Sequence, residues 1–160
     1  MGFLSDSDIR RYIAKGELRI EPFEEKNLTP NGYDVAVDEV VVPSENLRTT
    51  SGTALVPANA RFAVSTRETI HLGRHIVGQI WLRTTWARRG VVASFGMIDA
   101  GFSGTLTFGA FNAASSVLEL LIGERFAQVV FMTLESPASE TYDRRSGTYQ
   151  GQKGVTLERP

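Results

Sequence analysis

Short apolar runs that alternate with polar residues recur along most of the chain and predict β-strands. The runs are rich in Val, Ile, Phe and Thr, which favour strands. The predicted strands are Tyr33–Val42, Ala60–Ser65, Ile76–Leu82, Val91–Phe95, Leu106–Phe111, Val117–Leu121 and Gln128–Leu134. Glycine or proline stands between successive runs, as expected of turns. Many short strands at this spacing are typical of an all-β barrel or sandwich.

The amino-terminal residues follow a helical pattern instead. Apolar residues fall on one face of a helix predicted from Asp6 to Lys15, with Ser5 placed to cap its first turn and Gly16 placed to end it. A second, short helix is predicted near Thr84–Arg89, because this segment contains good helix formers and is followed by glycine. The expected fold is therefore all-β with a short amino-terminal helix.

Length and composition predict one compact domain. The 160 residues suffice for a single hydrophobic core, and no linker or repeat divides residues 1–160. Residues 141–160 are rich in Gly, Arg, Gln and Tyr and are predicted to form a mobile tail. The net charge is −1, so no broad basic surface for nucleic acid or membranes is expected. The sequence shows no long apolar run or signal peptide, and a cytoplasmic location is expected.

The residues that commonly bind metals are few. The absence of cysteine excludes disulfides, iron–sulfur clusters and thiolate zinc sites. His71 and His75 have a metal-binding spacing only on a helix, and Gly73 in a strand-like segment argues against a helix there. We therefore expect no metal ion bound directly by side chains of the protein.

Candidate chemistry is concentrated in the third quarter of the chain. Arg83, Arg88 and Arg89 supply forked, permanently charged donors suited to phosphate oxygens. Asp99 is the lone carboxylate of this segment, and an acid among basic and small polar residues is a candidate general base. The pattern predicts a site for a polyphosphate substrate and an activated water. The alternative is a strand pair that carries an exposed arginine cluster and no chemistry.

Five segments, in order along the chain, resemble motifs of the dCTP deaminase and dUTPase superfamily. The first is LSDSDIRRYIAKGELRIEPF followed by NGYDVAV, and the second is LRTTWARRG, with Thr84 where serine is usual. The third is GMIDAGFSG, which contains Asp99, and the fourth is GERFAQVVF, closer to the dUTPase form. The last is YDRRSGTYQGQKGV, which is similar to the closing tail of the deaminases. Together these segments extend over nearly the whole chain.

The resemblance implies a distorted jelly-roll or barrel domain that assembles as a homotrimer, in which motifs from neighbouring subunits meet at each site. It also implies which residues hold the phosphate chain of a dUTP- or dCTP-type nucleotide. Arg83, Thr84 and Gln128 would contact its oxygens, and Arg88 would hold the more distal phosphates. Asp34 would orient neighbouring groups. Mg²⁺ would be bound through the substrate phosphates.

The third and last motifs imply the remaining roles. Asp99 would activate the water, and Phe102 would pack against the sugar. Tyr142, Tyr149 and Gln152, in the tail, would close over the bound nucleotide.

Two departures from the deaminase pattern bear on the reaction. Gly109 stands where the deaminases carry a catalytic glutamate, and the dUTPases also lack a glutamate in this strand. The hairpin between Gly90 and Asp99, which cups the base in relatives, is shorter than usual. Three hypotheses follow. The first is a dUTP diphosphatase that forms dUMP and diphosphate, the second is a dCTP deaminase with a rearranged catalytic base, and the third is a nucleotide-binding relative without turnover.

Overall fold

The computed structural model describes residues 2–158. Its helices are α1 (Asp6–Ala14), α2 (Thr84–Arg88) and α3 (Tyr142–Arg145), and short 3-10 turns span Glu25–Asn27 and Pro43–Glu45. Its strands are β1 (Leu18–Glu21), β2 (Leu28–Thr29), β3 (Gly32–Val42), β4 (Leu47–Thr49), β5 (Thr53–Val56), β6 (Arg61–Thr66), β7 (Thr69–Leu72), β8 (Ile76–Leu82), β9 (Val91–Ala93), β10 (Met97–Ile98), β11 (Ser103–Gly104), β12 (Thr107–Asn112), β13 (Leu118–Leu121) and β14 (Arg125–Thr133). The all-β class with a short amino-terminal helix is confirmed.

Three sheets surround the core of the described residues. The largest follows the order β10-β8-β14-β3-β6-β12-β9, with β2 and β4 paired to β3. A three-stranded sheet has the order β1-β7-β11, and β13 pairs with β5. The neighbouring pairs are antiparallel, so one face of each strand can turn inward while the other faces solvent. The neighbouring strands β8, β14 and β3 carry or border the residues of the first cavity described below.

Aromatic side chains fill the centre of the core. Trp86, Phe126 and Phe131 are fully buried, and the Trp86 and Phe126 ring centres lie 5.6 Å apart. Phe108 stacks on Phe126 at 6.2 Å. Rings of this size bury much apolar area, so this cluster contributes strongly to stability. Because Trp86 belongs to α2, the core also fixes that short helix against β14.

Most of the predicted strands are confirmed, with shifted ends. β8 has the predicted bounds, whereas β14 begins at Arg125 rather than Gln128. Helix α1 is also confirmed: Ser5 Oγ accepts the Asp8 N–H at 3.2 Å, and the Asp8 carboxylate accepts the Ser5 N–H at 3.2 Å. This reciprocal pair is a capping box. The pattern missed β1, β2, β4, β5, β7, β10 and β11, which are two to four residues long and too short for alternation to stand out.

The structure corrects the hairpin expected between Gly90 and Asp99. The predicted strand Val91–Phe95 ends at Ala93, and the segment holds two separate short strands. β9 pairs with β12, whereas β10 pairs with β8, so the two strands are not partners of each other. The segment therefore crosses between two parts of the large sheet.

The carboxyl-terminal segment lies against β11 and β12. Gln152 and Thr105 exchange hydrogen bonds, from Thr105 N to the Gln152 carbonyl at 3.0 Å and from Gln152 Nε2 to the Thr105 carbonyl at 2.7 Å. Further on, the Val155 N–H donates to the nearly buried Glu39 carboxylate at 2.6 Å. Gly104 permits the approach, because a Cβ there would lie 3.1 Å from the Gln152 nitrogen. Movement of this tail on binding stays a prediction.

A buried carboxyl group makes the stability of the fold pH-dependent. Glu68 is 1% exposed and accepts the Ala36 N–H at 2.9 Å, and burial raises its pKa to about 7. Between the ordinary glutamate pKa and about 7, the folded chain holds a proton that the unfolded chain has released. The free energy of unfolding should therefore fall as pH rises through this range. Above about pH 7 the buried charge costs about 3 kcal/mol of stability.

We expect Glu68→Gln to remove this loss, because glutamine keeps an acceptor for the Ala36 N–H but carries no charge. Urea unfolding at pH 5 and pH 8 measures the effect, and the variant should gain stability over the parent only at pH 8. Glu45→Gln, at an exposed position, is the matched control and should leave the pH profile unchanged. Parallel pH profiles for the parent and Glu68→Gln would contradict the assignment.

Candidate active site

One cavity collects four of the residues predicted to contact the phosphate chain or to orient its neighbours. It lies where β8 ends and α2 begins and has a volume of about 270 Å³. Asp34, Arg83, Thr84 and Gln128 line it. Asp34 on β3 stands opposite Gln128 on β14, so their side chains share one face of the sheet. Arg83 follows the last residue of β8 and is the N-cap residue of α2.

Arg83 is held at three points beside this cavity. Its Nε lies 2.9 Å from the Asp34 carboxylate, its Nη1 donates to the Arg125 carbonyl at 3.3 Å, and its backbone N–H donates to the Phe126 carbonyl at 3.1 Å. The remaining guanidinium N–H groups are free to bind an anion. The side chain is 25% exposed, so a ligand can reach it. This arrangement suits a fixed, charge-assisted contact with a phosphate oxygen.

Asp34 is engaged by two arginines. Besides Arg83, the Arg125 Nη1 lies 3.3 Å from the same carboxylate oxygen. Burial raises the pKa of Asp34, while the charges of Arg83 and then Arg125 oppose that rise. The carboxylate therefore orients the arginines. Its predicted role in orienting neighbouring groups at a substrate site stays a prediction.

The other phosphate candidates are placed differently. Gln128 Nε2 donates to Thr29 Oγ1 at 2.8 Å, which leaves its second amide hydrogen for a ligand. Arg88 lies in the last turn of α2 and is not among the residues that line the cavity with Arg83. Arg89 has a structural role, because its guanidinium lies 4.6 Å from the Trp86 ring centre and donates to the Glu119 carbonyl at 3.2 Å.

A second cavity, of about 200 Å³, collects the remaining candidates. Asp99, Phe102, Tyr142, Tyr149 and Gln152 line it together. Phe102 is 5% exposed and packs edge to face against Tyr142, with ring centres 5.6 Å apart. The Tyr149 N–H donates to the Tyr142 hydroxyl at 3.0 Å. The tail thus already forms one wall of the space beside Asp99.

The two cavities lie toward opposite ends of β8. Ile98, which precedes Asp99, pairs with Gly78 near the start of the strand, whereas Arg83 follows its end. At about 3.3 Å per residue, Asp99 and Arg83 are separated by roughly 15–20 Å along the strand. The two cavities share no lining residue. Within one chain, Asp99 and Arg83 therefore line separate cavities.

Comparison with known proteins identifies the family. The model of the dCTP deaminase-like family matches residues 42–134, more than half of the chain. The chain belongs to this family. The matched range includes β8, α2, the Asp99 segment and β14, whereas Asp34 of the first cavity and Tyr142, Tyr149 and Gln152 of the second lie outside it.

Relatives in the dCTP deaminase-like family carry both names of the superfamily. A dCTP deaminase of Thermococcus kodakarensis is 40% identical over 145 residues, covering 89% of this chain and 92% of its own. A probable deoxyuridine 5′-triphosphate nucleotidohydrolase of Sulfolobus islandicus rod-shaped virus 1 is 36% identical over 156 residues, covering 96% of both chains. The solved 2′-deoxycytidine 5′-triphosphate deaminase of Agrobacterium tumefaciens has a TM-score of 0.68 at 17% identity, over 81% of this chain and 47% of that one.

The residue at which the dCTP deaminase-like chain departs from the deaminase pattern lies on an open face. Gly109 pairs with Ala63 across β12 and β6, and a Cβ placed on it would meet no atom within 4 Å. Space alone therefore does not dictate glycine here. Gly109 is not among the residues lining the cavity of Asp99, whereas its neighbours Thr107 and Phe108 are.

The sequence did not indicate a role for three residues around the cavity lined by Asp34, Arg83, Thr84 and Gln128, which we call the phosphate cavity. Arg125 shares Asp34 with Arg83, Thr29 binds Gln128, and Trp86 donates to the Arg125 carbonyl. Arg125 lies in the fourth motif and Trp86 in the second, but the motifs assign neither residue a role. Thr29 lies outside the motifs, and only the pairing of β2 with β3 brings it near β14.

In the described part of the chain, no helix is long and apolar enough to cross a membrane.

Proposed function

We propose that the protein hydrolyses dUTP to dUMP and diphosphate. The observation that carries the proposal is Gly109, a residue without a side chain at the position of the deaminase glutamate. Deamination at cytosine C4 needs a side chain that activates water and delivers a proton to the departing ammonia. Glycine at position 109 cannot do either. Hydrolysis at a phosphorus atom needs a base for the water and donors that hold the phosphates in line. Asp99 supplies the base, and the phosphate cavity supplies the donors.

In the proposed reaction, each group acts on a stated part of the substrate. Asp99 accepts the proton of the attacking water. Arg83, Thr84 and Gln128 donate hydrogen bonds to the phosphate oxygens, and Arg88 holds the more distal phosphates.

The second cavity receives the rest of the nucleotide. Phe102 packs against the sugar, and Tyr142, Tyr149 and Gln152 enclose the nucleotide from the tail side.

We further propose a homotrimer in which two chains complete each site. The separation of Asp99 from Arg83 along β8 supports this, because a second copy can bring its Asp99 to the phosphate cavity of the first. Closed rings of identical subunits commonly build such shared sites.

We propose that Mg²⁺ reaches this site bound to the substrate phosphates. Among the described residues, no group of three or more His, Asp or Glu side chains is placed to hold a metal. Asp34, the carboxylate that lines the phosphate cavity, is engaged by Arg83 and Arg125. Bound to the phosphate chain, Mg²⁺ would neutralise part of its charge. The chain's own contribution is then the arginine and amide donors.

The second candidate is a dCTP deaminase. The names of most of the relatives favour it over the diphosphatase. It would need another group to replace the glutamate missing at Gly109. The third candidate, a binding protein without turnover, would keep the phosphate contacts alone.

Product analysis separates these candidates. The purified protein is incubated with Mg²⁺ and either dUTP or dCTP, and the nucleotides, diphosphate and ammonia are resolved. We expect dUMP and diphosphate from dUTP and no ammonia from dCTP. Ammonia and dUTP formed from dCTP would establish the deaminase, and binding without product would establish the third candidate.

A further inference from the structure

The Arg125 carbonyl is a junction between the two elements that form the phosphate cavity. β14 starts at Arg125, its register against β3 shifts between Arg125 and Ala127, and its pairing with β8 begins only at Ala127. The Arg125 carbonyl thus lies beyond the end of β8. It accepts the Trp86 indole N–H at 2.8 Å and the Arg83 Nη1 at 3.3 Å. Such irregularities often re-aim side chains beside functional sites.

Trp86 connects helix α2 to this junction. Five residues are too few for a helix to be stable alone, and the residue before α2 forms no side-chain cap. Trp86 is fully buried against Phe126, so its N–H must find its acceptor inside the protein. Arg83 shares that acceptor, and the shorter distance belongs to Trp86. The Arg125 carbonyl oxygen is therefore one acceptor shared by two donors, Trp86 and Arg83.

We propose that Trp86 is a positioning residue for the phosphate site, because its indole N–H occupies the Arg125 carbonyl and leaves the Arg83 guanidinium oriented by Asp34. Without the indole N–H, the partly buried carbonyl has only the longer Arg83 contact. The guanidinium then turns toward the carbonyl, because an acceptor withdrawn from water and left without a close donor is costly. That turn carries its remaining N–H groups away from the phosphate oxygens. The inference rests on the proposed phosphate role of Arg83, and holds whether the site hydrolyses dUTP or deaminates dCTP.

The test compares ligands that differ in their phosphates. Trp86→Phe keeps a buried ring and removes the N–H. We expect affinity for the α,β-imido analogues of dUTP and dCTP, and for inorganic triphosphate, to fall by about tenfold. Affinity for deoxyuridine should change less than about twofold, since the nucleoside makes no phosphate contact. Phe131 is also a fully buried aromatic residue, but it lies on β14 and lines neither cavity. Phe131→Leu is therefore the control for a general loss of stability and should leave all affinities unchanged.

A second variant isolates the N–H itself. Replacing Trp86 by 3-benzothienylalanine keeps the size and shape of the indole and puts sulfur in place of the N–H, so it avoids a packing defect. The same selective loss of triphosphate affinity is expected. Unchanged triphosphate affinity in this variant, or an equal loss in Phe131→Leu, would overturn the inference. A wild-type protein that bound neither imido analogue would overturn the proposed function together with it.

Discussion

Asp99→Asn should lower turnover of dUTP by about 10²–10⁴-fold while nucleotide binding survives. Asparagine keeps the size and much of the hydrogen bonding of aspartate, but its amide cannot accept the proton of the attacking water. The loss should therefore appear in kcat rather than in the affinity for the α,β-imido analogue. Steady-state kinetics and a binding titration on the same preparation measure both quantities.

Asp38→Asn is the matched control for this variant. Asp38 is an exposed carboxylate on β3, so its replacement makes the same change in charge away from both cavities. Its turnover should equal that of the parent. Full activity in Asp99→Asn would remove Asp99 as the base, and ammonia release from dCTP by that variant would support the deaminase instead.

Two impaired variants should restore each other's activity if the sites are shared between subunits. Arg83→Ala removes a charge-assisted phosphate contact and should lower kcat/KM by about 10- to 100-fold. Co-expressed with Asp99→Asn, it can form trimers in which one chain supplies an intact Arg83 and its neighbour an intact Asp99. With random assembly of equal amounts, about a quarter of the sites are then complete. Activity at low substrate concentration should rise correspondingly above that of either variant.

The matched control pairs two changes in the same cavity. Arg83 and Gln128 line one cavity of one chain, so mixed trimers of Arg83→Ala and Gln128→Ala contain no complete site. This pair should show no recovery. Recovery in the control pair, or none in the Arg83 and Asp99 pair, would contradict the shared site. Light scattering of the parent at the mass of one 17.6 kDa chain would contradict the trimer itself.

The sequence predicts the central strands well because burial imposes a readable pattern on them. β8 has the predicted bounds and β3 differs by a single residue, since both are long and have a paired strand on each side. β7 and β11 were not predicted, because their pairing lies far apart in sequence and each is too short for alternation to be recognised. The segment after Gly90 was misread for a related reason. Local pattern indicates a strand but not which strand it pairs with.

The candidate site shows the same division. The motifs indicated which residues bear chemistry, and Asp34, Arg83, Thr84 and Gln128 do line one cavity. The sequence could not show that Asp99 lies toward the other end of β8, because that distance depends on how β10 pairs. Nor could it show how Arg83 is oriented. That orientation depends on the Arg125 carbonyl and the buried Trp86 indole. The pattern of side-chain types does not predict where a backbone oxygen lies.

Isotopic labelling tests the proposed reaction most directly. The protein is supplied with dUTP and, separately, with dCTP in ¹⁸O-enriched water, and the nucleotide products are analysed by mass spectrometry. Attack of water at the α-phosphorus predicts one ¹⁸O atom in the phosphate of dUMP, unlabelled diphosphate, and unchanged dCTP. One ¹⁸O atom at the C4 carbonyl of dUTP formed from dCTP would contradict the account, because it would show that water attacked C4 of the base.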